Sequence, residues 1–269
     1  MAISHTRMPT YFISHGGGPW PWIPDMRREF ARLEESFKRL PGELPSKPTA
    51  VLMISGHWET RDAFAVMHAA RPAMVYDYHN FPPHTYEVTY PAPGAPALAE
   101  RVRDLIEAAG LPSRLDETRG YDHGTFVPMA VLWPEADMPL FQVSMRSSYS
   151  PAEHIALGRA LAPLREEGVL ILGSGLSYHN LRAFGPKAKV PSTKFDTWLN
   201  EALQLPGAER IKALENWESA PSARQAHAEE DHLVPLFAAI GAAEGEPATR
   251  VYHEEGIFGG VTASSWRFG

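Results

Sequence analysis

Short apolar runs alternate with longer amphipathic stretches along the chain. Continuous apolar runs at residues 10–14, 50–55, 63–68, 139–144, 169–173 and 249–253 predict strands, several of them covered on both faces. Residues 25–40, 95–109, 151–166, 193–203 and 229–240 carry the apolar spacing of helices. In 151–166, Ile155, Leu157, Leu161 and Leu164 form the core-facing side, with Ser150 placed as cap and Pro151 in the first turn. This alternation predicts one α/β domain over residues 1–269. Its central, mostly parallel or mixed sheet is flanked by helices, with the active site at the carboxyl ends of the strands.

Nothing reads as a linker, a repeat or a low-complexity tail. The longest irregular piece is "ARPAMVYDYHNFPPHTYEVTYPAPGAP", residues 70–96, rich in proline and tyrosine. An irregular segment of that length in a compact domain is expected to serve as a lid or a binding wall. The C-terminal "WRFG" is expected to pack on the core or on another subunit.

Composition narrows the function classes. The net charge is −7 and no run of lysine or arginine occurs, which argues against a nucleic-acid surface or an anionic membrane. No apolar stretch approaches the roughly 20 residues of a membrane span. The start, "MAISHTRMPT", lacks the marks of a signal peptide, so a cytoplasmic protein is expected. There is no cysteine among the 269 residues, but there are 12 histidines. A metal would therefore be held by nitrogen and oxygen, as suits iron, manganese or zinc.

The histidines are not scattered evenly in context. His15 follows "YFIS", His57 follows "VLMISG" and His179 follows "VLILGSGLSY", so three apolar strands run through small residues into histidine. Such positions converge at the carboxyl edge of an open α/β sheet. His123 in "GYDHGTF" and His232 in "AEEDHLVPL" are further candidates, with His232 or an adjacent carboxylate (Glu229, Glu230 or Asp231) open as a third metal donor. Gly16–Gly18 are expected to clear space beside a metal-bound His15. His5, His68, His154 and His253 are expected to be structural or surface residues.

Six short motifs in order, "ISHGGGP", "ISGHW", "TYEVTYPAPG", "GYDHGTFVPM", "SGLSYHNL" and "EEDHLVPL", resemble the class III extradiol ring-cleavage dioxygenases. The resemblance is strongest to the branch holding the 4,5-DOPA dioxygenases. It implies a metal on His15, His57 and His232, with Fe(II) as cofactor and Zn(II) as an ion found on purification. It assigns His179 as acid–base catalyst or, in zinc-loaded forms, a fourth ligand, and His123 as a hydrogen-bonder to substrate or oxygen. It further implies a catechol and O2 as partners, with ring opening to a muconic-semialdehyde-type product. Relatives occur as monomers and as homo-oligomers, which leaves association open. Departures around residues 76–79 and 20–22 mark Trp20, Tyr76, Tyr78 and His79 as the expected substrate contacts, with Tyr86 and Tyr90 poised between ligand contact and loop packing. Two rivals compete: a zinc-dependent hydrolase, although no "HExxH" is present, and a non-catalytic protein like the Memo proteins, which share the fold.

Overall fold

The computed structural model describes residues 6–269; His5 lies outside the described residues. Eight strands form one sheet: β1 Thr10–Ser14, β2 Ala50–Thr60, β3 Phe64–Met67, β4 Ser113–Asp116, β5 Leu140–Arg146, β6 Val169–Gly175, β7 Ala248–Ile257 and β8 Val261–Phe268. Their order is β4-β3-β5-β2-β6-β1-β8-β7. The four middle strands, β5, β2, β6 and β1, are parallel. β8 then pairs antiparallel with β1, and β7 with β8. Every residue of β1 and β6 is buried, as continuous apolar runs require when helices cover both faces.

The covering helices are α1 Pro24–Glu29, α2 Ala31–Glu43, α3 Pro96–Ala108, α4 His123–Leu132, α5 Pro151–Leu161, α6 Lys189–Gln204, α7 Gly207–Glu215, α8 Ala223–Ala226 and α9 Val234–Ala242. Among the described residues, no helix is long and apolar enough to cross a membrane. The α/β class and the mixed sheet agree with the expectation, and Ser150 caps α5 through the Glu153 N–H with Pro151 at its start.

Several boundaries differ, each for a physical reason. The helix expected at 25–40 is two, divided at Phe30, whose buried ring lies against Trp20 and Phe258. The helix expected at 229–240 starts only at Val234, because Pro235 has no N–H and is tolerated in a first turn but not further in. His232 therefore sits in the turn before α9. α5 stops at Leu161 and tightens into a 3₁₀ turn, Ala162–Arg165, around Pro163. α4 was hidden because it is buried nearly all round and has no amphipathic stripe. β8 was hidden because it is buried on both faces and its buried positions include Thr262, Ser264 and Ser265. The "WRFG" end belongs to the chain's own core, where Trp266 and Phe268 are fully buried and Trp266 stacks on Phe12.

His154 is structural, as expected. It is fully buried; its Nε2 accepts the Arg146 N–H at 3.0 Å and its Nδ1 donates to Ser150 O at 2.7 Å. Burial pushes it down to about 4. The unfolded chain takes up this proton near 6.5, the folded chain only near 4, so stability falls as pH drops through that window, by about 3 kcal/mol. Urea midpoints measured between pH 7 and 4 should therefore decline more steeply in the native chain than in His154→Gln.

Candidate active site

Three strand ends lie side by side, Ser14 pairing with Gly175 and Ser55 with Ser174. His15 directly follows β1 and donates its N–H to Gly175 O at 3.1 Å. β2 does not end before His57, as the apolar run suggested. It continues to Thr60 through an irregular stretch between Ile54 and Glu59, and His57 lies in that stretch. The turn bearing His232 is tied to the end of β6, where the Leu176 N–H donates to His232 O at 3.0 Å. A Cβ on Gly175 would stand 2.0 Å from that carbonyl, so only glycine lets the two segments approach.

These backbones bring three imidazoles together. His57 Nε2 is 3.3 Å from His15 Nε2 and 3.1 Å from His232 Nε2. Their other nitrogens fix the proton. Ser174 donates to Gly124 O at 2.5 Å, so its oxygen accepts the Nδ1–H of His15 at 3.0 Å. Asp231 Oδ2 accepts the Nδ1–H of His232 at 2.7 Å. Asp77 Oδ2 lies 3.2 Å from His57 Nδ1. Hydrogen bonds hold the protons of His15 and His232 on Nδ1, the Asp77 carboxylate beside His57 Nδ1 favours the same tautomer there, and three Nε2 atoms converge.

That arrangement repels unless a cation accepts the lone pairs. A proton is a poor substitute: burial, then the neighbouring imidazoles, push His15 and His57 well below the ordinary histidine value, and burial brings His232 down to about 4. Nitrogens about 2.1 Å from a shared ion are about 3.0–3.4 Å apart in octahedral or tetrahedral geometry, which is the spacing found. The donor set fits a divalent transition metal with positions left open.

Two further histidines flank the three. His123 opens α4, capped by Asp122, and both its N–H and its Nδ1 reach Asp77 Oδ1, at 3.0 and 2.8 Å. One nitrogen of His123 lies within 4.8 Å of His15 and His57, so it borders the cluster closely. His179 stacks on His232 with ring centres 3.4 Å apart and has Nδ1 3.5 Å from Asp231 Oδ1. Its N–H donates to Ala226 O, and the buried His227 behind it bonds Ser177 O. Burial opposes ionisation of Asp77 and Asp231, but the hydrogen bond from His123 to the first, and the hydrogen bond from His232 together with the nearby His179 imidazole at the second, prevail and hold both below the usual carboxylate range.

The five histidines open onto a cavity of about 610 Å³ that Gly16, Gly17, Gly18, Tyr78, His79 and Phe81 also line. Tyr78 and His79 thus stand where substrate contacts were expected, and the 70–96 segment forms a wall. Trp20 and Tyr76 do not line the cavity. Trp20 is fully buried behind His15 and donates its indole N–H to His15 O at 2.9 Å, bracing the loop. Tyr76 turns away to donate to Val88 O. Tyr86 and Tyr90 are loop packing: Tyr90 is buried with its hydroxyl on Trp133 O, and the Tyr86 ring lies against Tyr78. The glycines line the cavity beside His15, as expected, and have a second role. Gly16 and Gly18 have φ of +80° and +49°, and a Cβ on either would strike the ring of Trp20 or Phe81 within 2.7 Å. They turn the chain and admit two aromatic rings.

Glu230 is paired with Arg224, and the carboxylates at the histidines are Asp77 and Asp231. Sequence reasoning held Asp231 as one of the carboxylates beside His232 and Asp77 within the 76–79 stretch, but assigned neither the task of holding an imidazole. The available signal was adjacency: each stands beside a residue already suspected.

The model of the catalytic LigB subunit of aromatic ring-opening dioxygenase matches residues 10–269. The 4,5-DOPA dioxygenase extradiol of Beta vulgaris is 37% identical, over 96% of each chain. That of Escherichia coli K12 is 35% identical over 92% of this chain and 90% of its own. The dioxygenase tasH of Hapsidospora irregularis is 37% identical over 93% of this chain and 83% of its own. A crystal structure of an uncharacterized Escherichia coli K12 protein superposes with a TM-score of 0.78 at 30% identity, covering 98% of this chain and all of that one.

Proposed function

Because the chain belongs to the LigB family and is an extradiol ring-cleaving dioxygenase with a metal cofactor, we propose that it is Fe(II)-dependent and opens a catechol with O2 to a muconic-semialdehyde-type product. His15, His57 and His232 are the metal ligands in this reading. The observation that carries it is the meeting of their three Nε2 lone pairs beside an open cavity. The bound ion supplies Lewis acidity and an electron path between catechol and oxygen.

The chain's own groups handle binding and protons. His179, with Nδ1 turned to Asp231, keeps Nε2 for exchange at the cavity face; it takes a proton from a catechol hydroxyl and returns it as the O–O bond breaks. Asp231 holds the orientation of His179 and of His232 together. His123, anchored on Asp77, hydrogen-bonds the substrate or oxygen. Tyr78 and His79 contact the ring or its substituent. Both atoms of O2 enter the product, so no separate reductant is needed. The hydrolase and non-catalytic readings open to the histidines alone give way to family membership.

The test is metal-specific turnover. Protein loaded with Fe(II) or Zn(II) without air receives a panel of catechols, and air is then admitted. Oxygen uptake equal to catechol consumed, with a coloured product in the iron form alone, is expected. Turnover that persists with zinc, or its absence with iron across the panel, would overturn the proposal.

A further inference from the structure

The cavity wall facing the histidines is built from Met26, Phe30, Phe81, Phe184, Ile257 and Phe258. Four separate segments supply it: the α1–α2 region, the 70–96 segment, the loop at Phe184, and the tip of the β7–β8 hairpin. The rings touch across these elements, Phe258 lying 5.4 Å from Phe30 and 5.6 Å from Phe184 between centres. The backbone N–H of Phe258 is anchored on the Glu29 carboxylate, which ties the hairpin tip to α1. The apolar wall is therefore a built surface rather than one mobile loop.

No lysine or arginine lines the cavity among the described residues. Its two carboxylates already face histidines. The imidazole nearest the outside, His79, is exposed, where an ion pair contributes little. A carboxylate carried on a catechol would leave water with no fixed cation to meet it, which is unfavourable. An apolar substituent would be welcomed, and the cavity, at about 610 Å³, has room beyond a single ring. The chain's net charge of −7 adds a further bias against anions.

Resting on the ring-opening reading above, we propose that the substrate is a catechol bearing an uncharged apolar substituent, alkyl or aryl, rather than a catecholic amino acid or carboxylic acid. The substituent lies against the Phe30–Phe184–Phe258 wall while the two hydroxyls face the histidines. Leu181 extends this surface to the mouth. It is 71% exposed although it lines the cavity, an unusual position for leucine unless an apolar group passes it.

Propylcatechol and dihydroxyphenylpropionate are a matched pair, the same chain ending in methyl or carboxylate. Dissociation constants come from tryptophan fluorescence of the zinc-loaded protein in the absence of air, and kcat/KM from oxygen uptake by the iron-loaded protein. Both should favour propylcatechol, by roughly tenfold or more. Leu181→Arg, a change at an exposed position that spares the core, should narrow that ratio by strengthening the carboxylate's binding. Equal or better binding and turnover of the carboxylate by the native chain would overturn this proposal while leaving ring opening intact. If the iron form opens neither compound nor any other catechol, the ring-opening reading fails and this one with it.

Discussion

The His57→Ala variant is expected to lose metal binding and ring-opening activity together. His57 Nε2 is within 3.3 Å of both other Nε2 groups, so its removal takes away the donor that touches each of the other two. Loss of an outer partner typically lowers metal affinity roughly 10–100-fold; loss of the central donor should exceed that, to about 10³-fold or more. A melting experiment reads this without turnover. Saturating the native apoprotein with a divalent cation stabilises it by about 2.7 kcal/mol at a hundred times Kd, a rise of roughly 5–10 °C for a chain of this size. The variant should show no rise at the same concentration. His123→Ala makes the comparison decisive, because His123 also borders His15 and His57 yet is engaged with Asp77. It should keep the rise while His57→Ala and His232→Ala lose it. A full rise in His57→Ala, or its loss in His123→Ala, would reassign the ligand set.

How much of this was legible in the sequence follows from what period and position can encode. The convergence of His15, His57 and His179 could be read because parallel strands bring their carboxyl ends to one edge, whatever lies between them in the chain. The carboxylates were harder. Asp77 meets His123 across 46 residues, and nothing in the 70–96 segment says which way its side chains turn. Trp20 shows the opposite failure. It stands five residues from His15, yet the left-handed turn at Gly16 folds its ring beneath the histidine instead of into the cavity. The missed α4 and β8 share one cause: pattern reading needs one polar face, and both elements are buried on nearly all sides. Their polar residues are satisfied internally; Ser264, for example, donates its backbone N–H to Ser177 Oγ.

His179→Ala separates proton transfer from metal binding and should behave in the opposite way to His57→Ala. His179 packs face to face on His232 and shares Asp231 with it, so it touches the ligand shell without standing among the three close Nε2 atoms. The cation-induced rise in melting temperature should therefore persist within a few degrees. Turnover at saturating catechol should fall by roughly 10²–10⁴-fold, the usual worth of a positioned acid–base group. The lost ring leaves a space at the cavity face, and added imidazole should restore part of kcat with little change in KM. Rescue of that kind would not follow from a purely structural role, since imidazole cannot repair displaced packing. Loss of the metal with His179 would instead make it a fourth ligand, and the proton would have to pass through His123. The two variants thus test the proposed division of the cluster, which rests on Asp231: one oxygen accepts from His232, the proposed ligand, while the other faces His179, the proposed proton carrier.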